Sequence, residues 1–249
     1  MSTGVVMDSA NGREERDVRP VTFVACQSVL ELDLGHVTAQ RAVLDPQFLH
    51  KMVMSGFYGW VAEGEPSPRA QLRVLHAARV DLGEDLLTIV VQSRVQPDWD
   101  RIALSALRTR PRLVTVQHEV ADGQEYAFRT IVHPTRDSGP NRRRRDLTDP
   151  KDVLAWLLDR LQPVGEPAYS TDGRRVRRIG ADARTAHLEV RVLPAIQEMR
   201  DRPRQRLTRS EIQGRLTVTD AETFVEVLSV GLGRSRSLGC GLVLVEPLD

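Results

Sequence analysis

Aromatic residues are scarce in this chain of 249 residues, and the shortage argues against one class of ligand. Phe, Trp and Tyr together make up 4% of the sequence. Proteins that bind single-stranded nucleic acid usually stack the bases on aromatic side chains. A nucleic-acid ligand of this chain would therefore be a folded, base-paired RNA that is recognised through its phosphates and its shape, and a hairpin fits better than a free strand.

Cysteine and long apolar runs are also missing. The two cysteines, Cys26 and Cys240, form no CxxC or Cys/His pattern, so the sequence predicts neither a zinc site nor a disulfide framework. No apolar run approaches the roughly 18 residues that a membrane span needs, and the first twenty residues mix acidic and basic side chains, unlike a signal peptide. We therefore expect a cytoplasmic protein with no metal, no cofactor and no membrane partner.

The charge is nearly balanced overall but is unevenly distributed. The net charge is +1, and lysine occurs only at positions 51 and 151, so 33 of the 35 basic residues are arginine. Residues 1–122 carry 13 basic and 16 acidic residues, whereas residues 123–249 carry 22 and 18. The surplus lies in clusters at 142–145, 174–178 and 200–209. Such clusters are typical of phosphate contacts but also of solvated surface.

A glycine-rich segment near the end of the chain carries the clearest signal. Residues 231–241 read GLGRSRSLGCG and precede an apolar strand, Leu242 to Val245. Glycines leave backbone N–H groups uncovered, which favours a phosphate-rich ligand close to the main chain. The segment follows a helical run and contains no lysine, so it is neither a Walker loop nor a dinucleotide-binding turn.

Hydrophobic periodicity predicts two successive βαββαβ units. The strands of the first unit span Val21 to Leu34, Gln71 to Val80, Leu86 to Gln92 and Arg112 to Val120. Its first helix begins at Pro46 with Asp45 as its cap, and its second helix runs from Pro97 to Leu107. The strands of the second unit span Tyr126 to Val132, Glu211 to Thr219 and Leu242 to Val245. One helix follows the cap at Thr148–Pro150 and runs to Leu161, and another is capped by Asp220 and runs to Val230. Residues 163–200 are expected to form a hairpin or loop.

This order predicts an α+β protein made of two tandem ferredoxin-like domains, an architecture that can lay two sheet faces and a cleft along RNA. We expect a disordered N-terminal tail over residues 1–19, an N-terminal domain over 20–122 and a C-terminal domain over 123–249 that holds the basic segments and the glycine-rich loop.

Several segments in this order resemble the CasE family of RAMP-type CRISPR proteins. The terminal loop matches the family's G-φ-G-x-x-[KR]-[SA]-φ-G-x-G pattern. The strand YAFRTIVHPT at 126–135 resembles the family's FRLRANPxK, the arginines at 142–145 occupy the place of its basic segment, and VLAWL at 153–157 resembles its AWL helix. VQS at 91–93, followed by PDW at 97–99, is similar to a segment of the family's first domain.

The resemblance implies an endoribonuclease of the type I-E Cascade complex. It would cut precursor CRISPR RNA at the base of the repeat hairpin without a metal ion, and it would keep its product among the other Cascade subunits. In the family the RNA's own 2′-hydroxyl attacks the neighbouring phosphorus and leaves a 2′,3′-cyclic phosphate and a 5′-hydroxyl. Such a reaction needs proton transfer and stabilisation of the phosphorane charge.

The resemblance makes His50 the candidate catalytic residue. The family's catalytic histidine lies in a pattern like [DN]-P-Y-x-[LM]-H, and DPQFLH at 45–50 matches it except at Gln47. Histidine suits either proton role because its ordinary pKa of about 6.5 lies near working pH, and we expect His50 to be the general acid to the leaving oxygen. His76, His118, His133 and His187 are expected to be structural.

Two departures leave the second proton role open. Gln47 stands where several relatives have tyrosine, and Ser55 where some relatives have a basic residue. His36, Lys51 or Arg236 could fill the role.

The predicted RNA contacts come from the first helix, the basic segment and the glycine-rich loop. Arginine offers a planar fork of donors that matches phosphate oxygens. The residues are Gln47, Lys51, Arg142, Arg143, Arg144, Arg145, Gly231, Gly233, Arg234, Arg236, Ser237, Gly239 and Gly241.

Two other functions remain open. The chain could be a non-cleaving RAMP-type subunit that holds CRISPR RNA, which would account for the missing tyrosine. Alternatively, a pair of ferredoxin-like domains could serve assembly or small-ligand sensing, with incidental basic loops.

Overall fold

A computed structural model describes residues 19–62, 64–138, 143–161, 176–197 and 206–248. The predicted tail over residues 1–19 therefore lies almost wholly outside the described residues. So does most of the arginine cluster at 200–209, as well as Arg142 and residues 174 and 175. No helix among the described residues is long and apolar enough to cross a membrane.

The first half of the chain forms one four-stranded antiparallel sheet with helices beside it. Its strands are β1 (Val21–Asp33), β2 (Leu75–Asp81), β3 (Leu86–Ser93) and β4 (Arg112–Val120), in the order β2-β3-β1-β4. Three helices, α1 (Val37–Leu44), α2 (Pro46–Ser55) and the short α3 (Pro68–Gln71), connect β1 to β2. β1 is the central long strand and pairs with both β3 and β4.

The second half forms a five-stranded antiparallel sheet and a separate two-stranded hairpin. The sheet contains β5 (Glu125–Val132), β8 (Ala181–Asp182), β9 (Leu188–Gln197), β10 (Arg206–Val218) and β11 (Val243–Pro247). Its order is β11-β5-β10-β8, and β9 also pairs with β10. Strands β6 (Thr135–Ser138) and β7 (Arg143–Asp146) form the hairpin, and the helices are α4 (Pro150–Leu158) and α5 (Ala221–Val230). The chain is thus a mixed α/β protein with antiparallel sheets.

Three helices begin where the capping residues predict. The side chain of Asp45 accepts hydrogen bonds from the backbone N–H groups of the first turn of α2, and Pro46 opens that helix. Asp149 caps α4 and Asp220 caps α5 in the same way. Each carboxylate satisfies N–H groups that have no partner within the helix, and its negative charge suits the positive end of the helix dipole.

The helix predicted from Pro97 to Leu107 is wrong. Only Leu104–Ala106 forms a short 3₁₀ turn there. The N–H of Asp98 donates to the carbonyl of Gly56 at 2.8 Å, and the Trp99 indole packs closely against Gly56. Tertiary packing of this indole outweighs the local helical pattern.

Other boundaries also differ from the prediction. The sequence pattern did not predict α1, and β2 begins at Leu75 because residues 68–71 are helical. Strand β10 starts five residues earlier than predicted and pairs with β9, all of which lies within residues 163–200, the segment predicted to be a hairpin or loop.

The two halves share a hydrophobic core. Phe23 and Ala25 of β1 belong to the same buried cluster as Phe224 and Leu228 of α5. Leu30, at the other end of β1, belongs to a second cluster with residues of α1 and α2. The Gln92 side chain strengthens the junction by donating a buried 2.7 Å hydrogen bond to the carbonyl of Leu228. This packing places the end of α5, and the loop after it, beside the helices of the first half.

Candidate active site

Helix α2 carries His50 into a partly buried position. The helix presents Leu49, Met52 and Val53 to the core, so the neighbouring position 50 lies at the edge of the buried face. Of the two ring nitrogens of His50, Nδ1 is the one that is buried without a hydrogen-bond partner among the described residues. The imidazole is therefore held by packing, and Nε2 is left for an incoming group.

His76 packs beside His50. The two rings are stacked, with centroids 6.3 Å apart and planes 20° from parallel. His76 is fully buried, and neither of its nitrogens has a partner among the described residues. Burial, followed by the charges of His50 and Arg69, lowers the pKa of His76 to about 3. His76 is therefore neutral at physiological pH and cannot supply a proton.

Arg69 brings a positive charge to this pair. It lies in the short helix α3, and its Nη1 donates to the carbonyl of Val74 at 2.9 Å. Burial lowers the pKa of His50, and the Arg69 guanidinium lowers it further. Both effects disfavour the imidazolium, because burial penalises any charge and a nearby like charge repels it. The free imidazole of His50 is thus neutral near pH 7.

Residues 231–241, which we call the glycine–arginine loop, pack against α2 and β2. Gly231 ends α5 with a φ of +85°, and Gly241 returns the chain with a φ of +87°. The Leu232 N–H donates to the carbonyl of Gly241 at 2.8 Å and closes the loop. A Cβ built on Gly239 would lie 3.5 Å from the His76 ring. The structure therefore brings the loop, His76 and His50 together.

The side chain of Arg236, a residue of this loop, passes close to both ends of the loop. Its aliphatic stem runs past Gly231 and Gly241, at 3.2 Å and 3.1 Å from where their Cβ atoms would be. One guanidinium nitrogen donates to the carbonyl of Val230 at 2.8 Å and so satisfies an end carbonyl of α5. Arg236 therefore has a structural role as well as a charge to offer a ligand.

Arg69 and Arg236 concentrate positive charge at the site. Burial lowers the pKa of the Arg69 guanidinium, and the charge of Arg236 lowers it further, so the two cations influence one another. Among the described residues neither arginine forms a salt bridge with a carboxylate. Two neighbouring guanidinium groups that pair with no carboxylate in the described part of the chain, beside uncovered backbone, can bind an anion such as a phosphate.

The other residues predicted to contact RNA spread outwards from this centre. Lys51 and Arg234 are exposed, Gln47 and Ser237 are partly buried, and Gly233 lies against the Trp156 ring. Arg144 and Arg145 are exposed on β7, where Arg144 forms a 3.3 Å salt bridge with Asp137. Arg143 also lies in β7, and Arg142 lies outside the described residues.

His36 and Ser55 are occupied in capping and backbone contacts. His36 is the N-cap of α1, where its Nδ1 accepts a hydrogen bond from the Thr38 N–H at 3.2 Å, and its Nε2 lies 3.3 Å from the Ser105 hydroxyl. The Ser55 hydroxyl donates to the carbonyl of Met52 within α2. Both contacts have ordinary structural functions.

The sequence pattern does not reveal Arg69, and it predicts a structural role for His76. Ser67-Pro68-Arg69 resembles an ordinary helix start, and nothing local distinguishes this arginine from the 32 others. His76 occupies a strand position that alternation assigns to the core. Their proximity to His50 depends on contacts between distant segments. Among the described residues, no group of three or more His, Cys, Asp or Glu side chains is arranged to hold a metal ion.

Comparison with known sequences gives one family and one curated relative. A family model described as CRISPR associated protein matches residues 27–247. The CRISPR-associated endoribonuclease Cse3 of Thermus thermophilus is 25% identical over 218 residues, which cover 88% of this chain and 98% of that protein.

Comparison with solved structures shows a shared fold. Thermus thermophilus Cse3 bound to an RNA representing a pre-cleavage complex matches with a TM-score of 0.68 at 21% identity, over 90% of this chain and 100% of that chain. The CRISPR-associated protein Cas6e from Escherichia coli K-12 matches with a TM-score of 0.60 at 16% identity, again over 90% and 100% of the two chains.

Proposed function

The chain belongs to the CRISPR-associated protein family matched over residues 27–247, as its sequence motifs predict, and we propose that it is the endoribonuclease that cleaves precursor CRISPR RNA at the base of the repeat hairpin. One observation carries the proposal. His50, neutral and with one nitrogen free, lies in the same site as the glycine–arginine loop and two arginines that have no carboxylate partner among the described residues. The endoribonuclease name of the Thermus relative supports the same activity.

The proposed reaction begins at the 2′-hydroxyl beside the scissile phosphate. The neutral His50 imidazole accepts the hydroxyl proton while the 2′-oxygen forms a bond to phosphorus. The bond from phosphorus to the 5′-oxygen then breaks and leaves a 2′,3′-cyclic phosphate. The departing oxygen needs one proton, and the His50 imidazolium now holds one. A single imidazole can therefore serve both steps.

This assignment revises the proton role expected for His50. The sequence pattern predicts that His50 is the general acid to the leaving oxygen, but its lowered pKa makes the protonated form scarce before RNA binds. A bound phosphate would stabilise the imidazolium that forms when His50 accepts the 2′-hydroxyl proton. Lys51, the exposed neighbour on α2, is the alternative proton donor to the leaving oxygen.

Arg69 and Arg236 would stabilise the charge that builds up on the phosphorane. Fixed donors aimed at a developing negative charge are among the largest contributors to enzymatic rate enhancement. Because protein groups supply both the proton transfer and the charge stabilisation, the proposed reaction requires no metal ion and no cofactor. The expected partner is a repeat hairpin, whose phosphates would be contacted by Arg144, Arg145 and Arg234.

The strand order of the two sheets supports a division of the chain into two domains. The strand order β2-β3-β1-β4 in the first half, and β11-β5-β10-β9 in the second, both correspond to the antiparallel order of a βαββαβ unit. We therefore propose two ferredoxin-like domains over residues 20–122 and 123–249, joined by the tight turn at Gly123. The first of these domains has only the short 3₁₀ turn at Leu104–Ala106 in place of a regular second helix. We also propose a cytoplasmic protein that assembles with other Cascade subunits.

A second function is a non-cleaving RNA-binding subunit. Gln47 and Ser55 favour it, because neither side chain can take part in proton transfer near neutral pH. Small-ligand sensing, the third hypothesis, gains no support from the family match.

Incubation with an end-labelled repeat hairpin in EDTA separates these functions. We expect a single cut with wild type and no cut with His50→Ala, while the affinity for the hairpin is unchanged. Tight binding without cleavage by wild type would indicate the non-cleaving subunit. If wild type neither binds nor cleaves the hairpin, both RNA functions are wrong.

A further inference from the structure

A hydrogen-bonded chain of three side chains connects the glycine–arginine loop to a distant part of the fold. The Ser235 hydroxyl lies 2.8 Å from Nδ1 of His133, and Nε2 of His133 lies 3.1 Å from Oδ1 of Asp146. Ser235 belongs to the loop and His133 follows β5. Asp146 ends the β6–β7 strand pair, which we call the basic hairpin because it also carries Arg144 and Arg145.

The chemistry of the three groups fixes the direction of these hydrogen bonds. An ionised carboxylate can only accept, so Nε2 of His133 must carry the proton that it donates to Asp146. In a neutral imidazole Nδ1 is then the acceptor, and the Ser235 hydroxyl donates to it. Each nitrogen is used, and the ring bridges two segments that are about 90 residues apart in sequence.

Ser235 has a strained backbone conformation within the glycine–arginine loop. Its φ of +54° places a non-glycine residue in the left-handed region, which costs about 1–2 kcal/mol. Its carbonyl accepts hydrogen bonds from the Leu238 and Cys240 N–H groups, at 2.8 Å and 3.3 Å. The hydroxyl contact with His133 therefore holds the residue around which residues 235–240 turn.

Asp146 has an equally direct connection to the basic hairpin. It pairs with Thr135 at the base of the two strands, next to the Arg136–Arg145 pair. The side chain of Asp146 is about one-third exposed, whereas that of His133 is 14% exposed. The imidazole is thus the partly buried link between two exposed arginine-bearing elements.

We propose that His133 is a positioning residue that couples the glycine–arginine loop to the basic hairpin, so that both contact one RNA hairpin as a single surface. The proposal rests on the proposed function for its ligand but not for the coupling itself. The structural role that the sequence predicts for His133 is thereby made specific: its imidazole joins two RNA-contacting elements. Because Ser235 and Asp146 engage both ring nitrogens of His133, the role proposed for it is positioning and not catalysis.

Amide hydrogen exchange tests the coupling without RNA. In Asp146→Ala we expect the Leu238 and Cys240 amides, more than 90 positions away, to exchange about tenfold faster, as loss of one supporting hydrogen bond predicts. Asp146→Asn retains an acceptor for Nε2–H and should restore slow exchange. Asp137→Ala, which removes a carboxylate from the same hairpin without touching His133, is the matched control and should leave the loop unchanged.

A general loss of stability is distinguished from coupling by the amides of β10. These should exchange at the wild-type rate in every variant. Unchanged exchange in the loop of Asp146→Ala, or equal acceleration in β10, would overturn the proposal.

Affinity for a labelled repeat hairpin tests the RNA part. Ser235→Ala and Asp146→Ala should each weaken binding, and the double variant should bind about as well as the weaker single variant, because both break one chain. Fully additive losses would contradict the coupling. If wild type does not bind the hairpin at all, the proposed function fails, and hydrogen exchange still decides whether the two elements are coupled.

Discussion

Replacing Gly241 by alanine should damage the candidate site far more than the same change at Gly123. The two glycines have nearly equal φ angles, +87° and +88°. An alanine at either position therefore carries the same left-handed penalty of about 1–2 kcal/mol. What differs is the space around the new methyl group.

A Cβ on Gly241 would lie 2.4 Å from the carbonyl oxygen of Leu232 and 3.1 Å from Cγ of Arg236, whereas a Cβ on Gly123 would meet nothing within 4 Å. The first distance is shorter than real contacts allow, so the backbone of the loop must move. Overpacking of this kind costs about 1–3 kcal/mol. We therefore expect a total loss of about 3 kcal/mol for Gly241→Ala and about 1 kcal/mol for Gly123→Ala.

Urea unfolding followed by circular dichroism measures the two free energies of unfolding, and single-turnover cleavage of a repeat hairpin measures the effect on the site. Because the displaced loop carries Arg236, the cleavage rate of Gly241→Ala should fall by about a hundredfold, while Gly123→Ala should cleave normally. Equal destabilisation of the two variants, or normal cleavage by Gly241→Ala, would refute the packing argument.

Three further predictions concern charge. In the cleavage reaction, kcat/KM should rise with pH to a plateau through a midpoint below 6.5, because the base form of His50 is required and its pKa is lowered; Arg69→Met should move that midpoint upwards. Arg234→Ala, which changes an exposed loop arginine, should weaken hairpin binding and reduce the slope of log affinity against log salt by about one unit, measured by fluorescence anisotropy; an unchanged slope would remove Arg234 from the RNA contacts. Glu211→Gln should lower the free energy of unfolding at pH 7 by about 2 kcal/mol, the scale of a hydrogen bond to a charged group. Burial acts to raise the pKa of this carboxyl, but the hydrogen bonds and charges of Arg129 and Arg191 lower it overall. The stabilisation should therefore be present above the carboxyl's ordinary pKa and be lost as pH falls through the lowered one, so the two proteins should converge in acid unfolding curves.

The local signals in the sequence located most elements correctly because they act within a few residues. Asp45, Asp149 and Asp220 cap the helices that follow them, and alternation located β1 to β5, β10 and β11 but not β6 to β9. The helix predicted from Pro97 failed because Trp99 finds its partner at Gly56, far away in the chain.

The candidate site was predictable only in part for the same reason. The motif around His50 and the glycine-rich pattern are local, so both could be named from the sequence. Arg69 and the His133 link become visible only when separate segments pack together, since no local pattern specifies the contact of Arg69 with His50 or that of His133 with Ser235. Long-range contacts create the electrostatic environment that sets the pKa of His50.

The most direct test of the account replaces the 2′-hydroxyl at the mapped cleavage position of the repeat hairpin with hydrogen. Wild-type protein should bind this RNA as tightly as the unmodified hairpin and should not cut it in EDTA, because the attacking oxygen has been removed. Cleavage of the 2′-deoxy hairpin at the same phosphate would contradict the proposed attack and, with it, the role of His50 as the base.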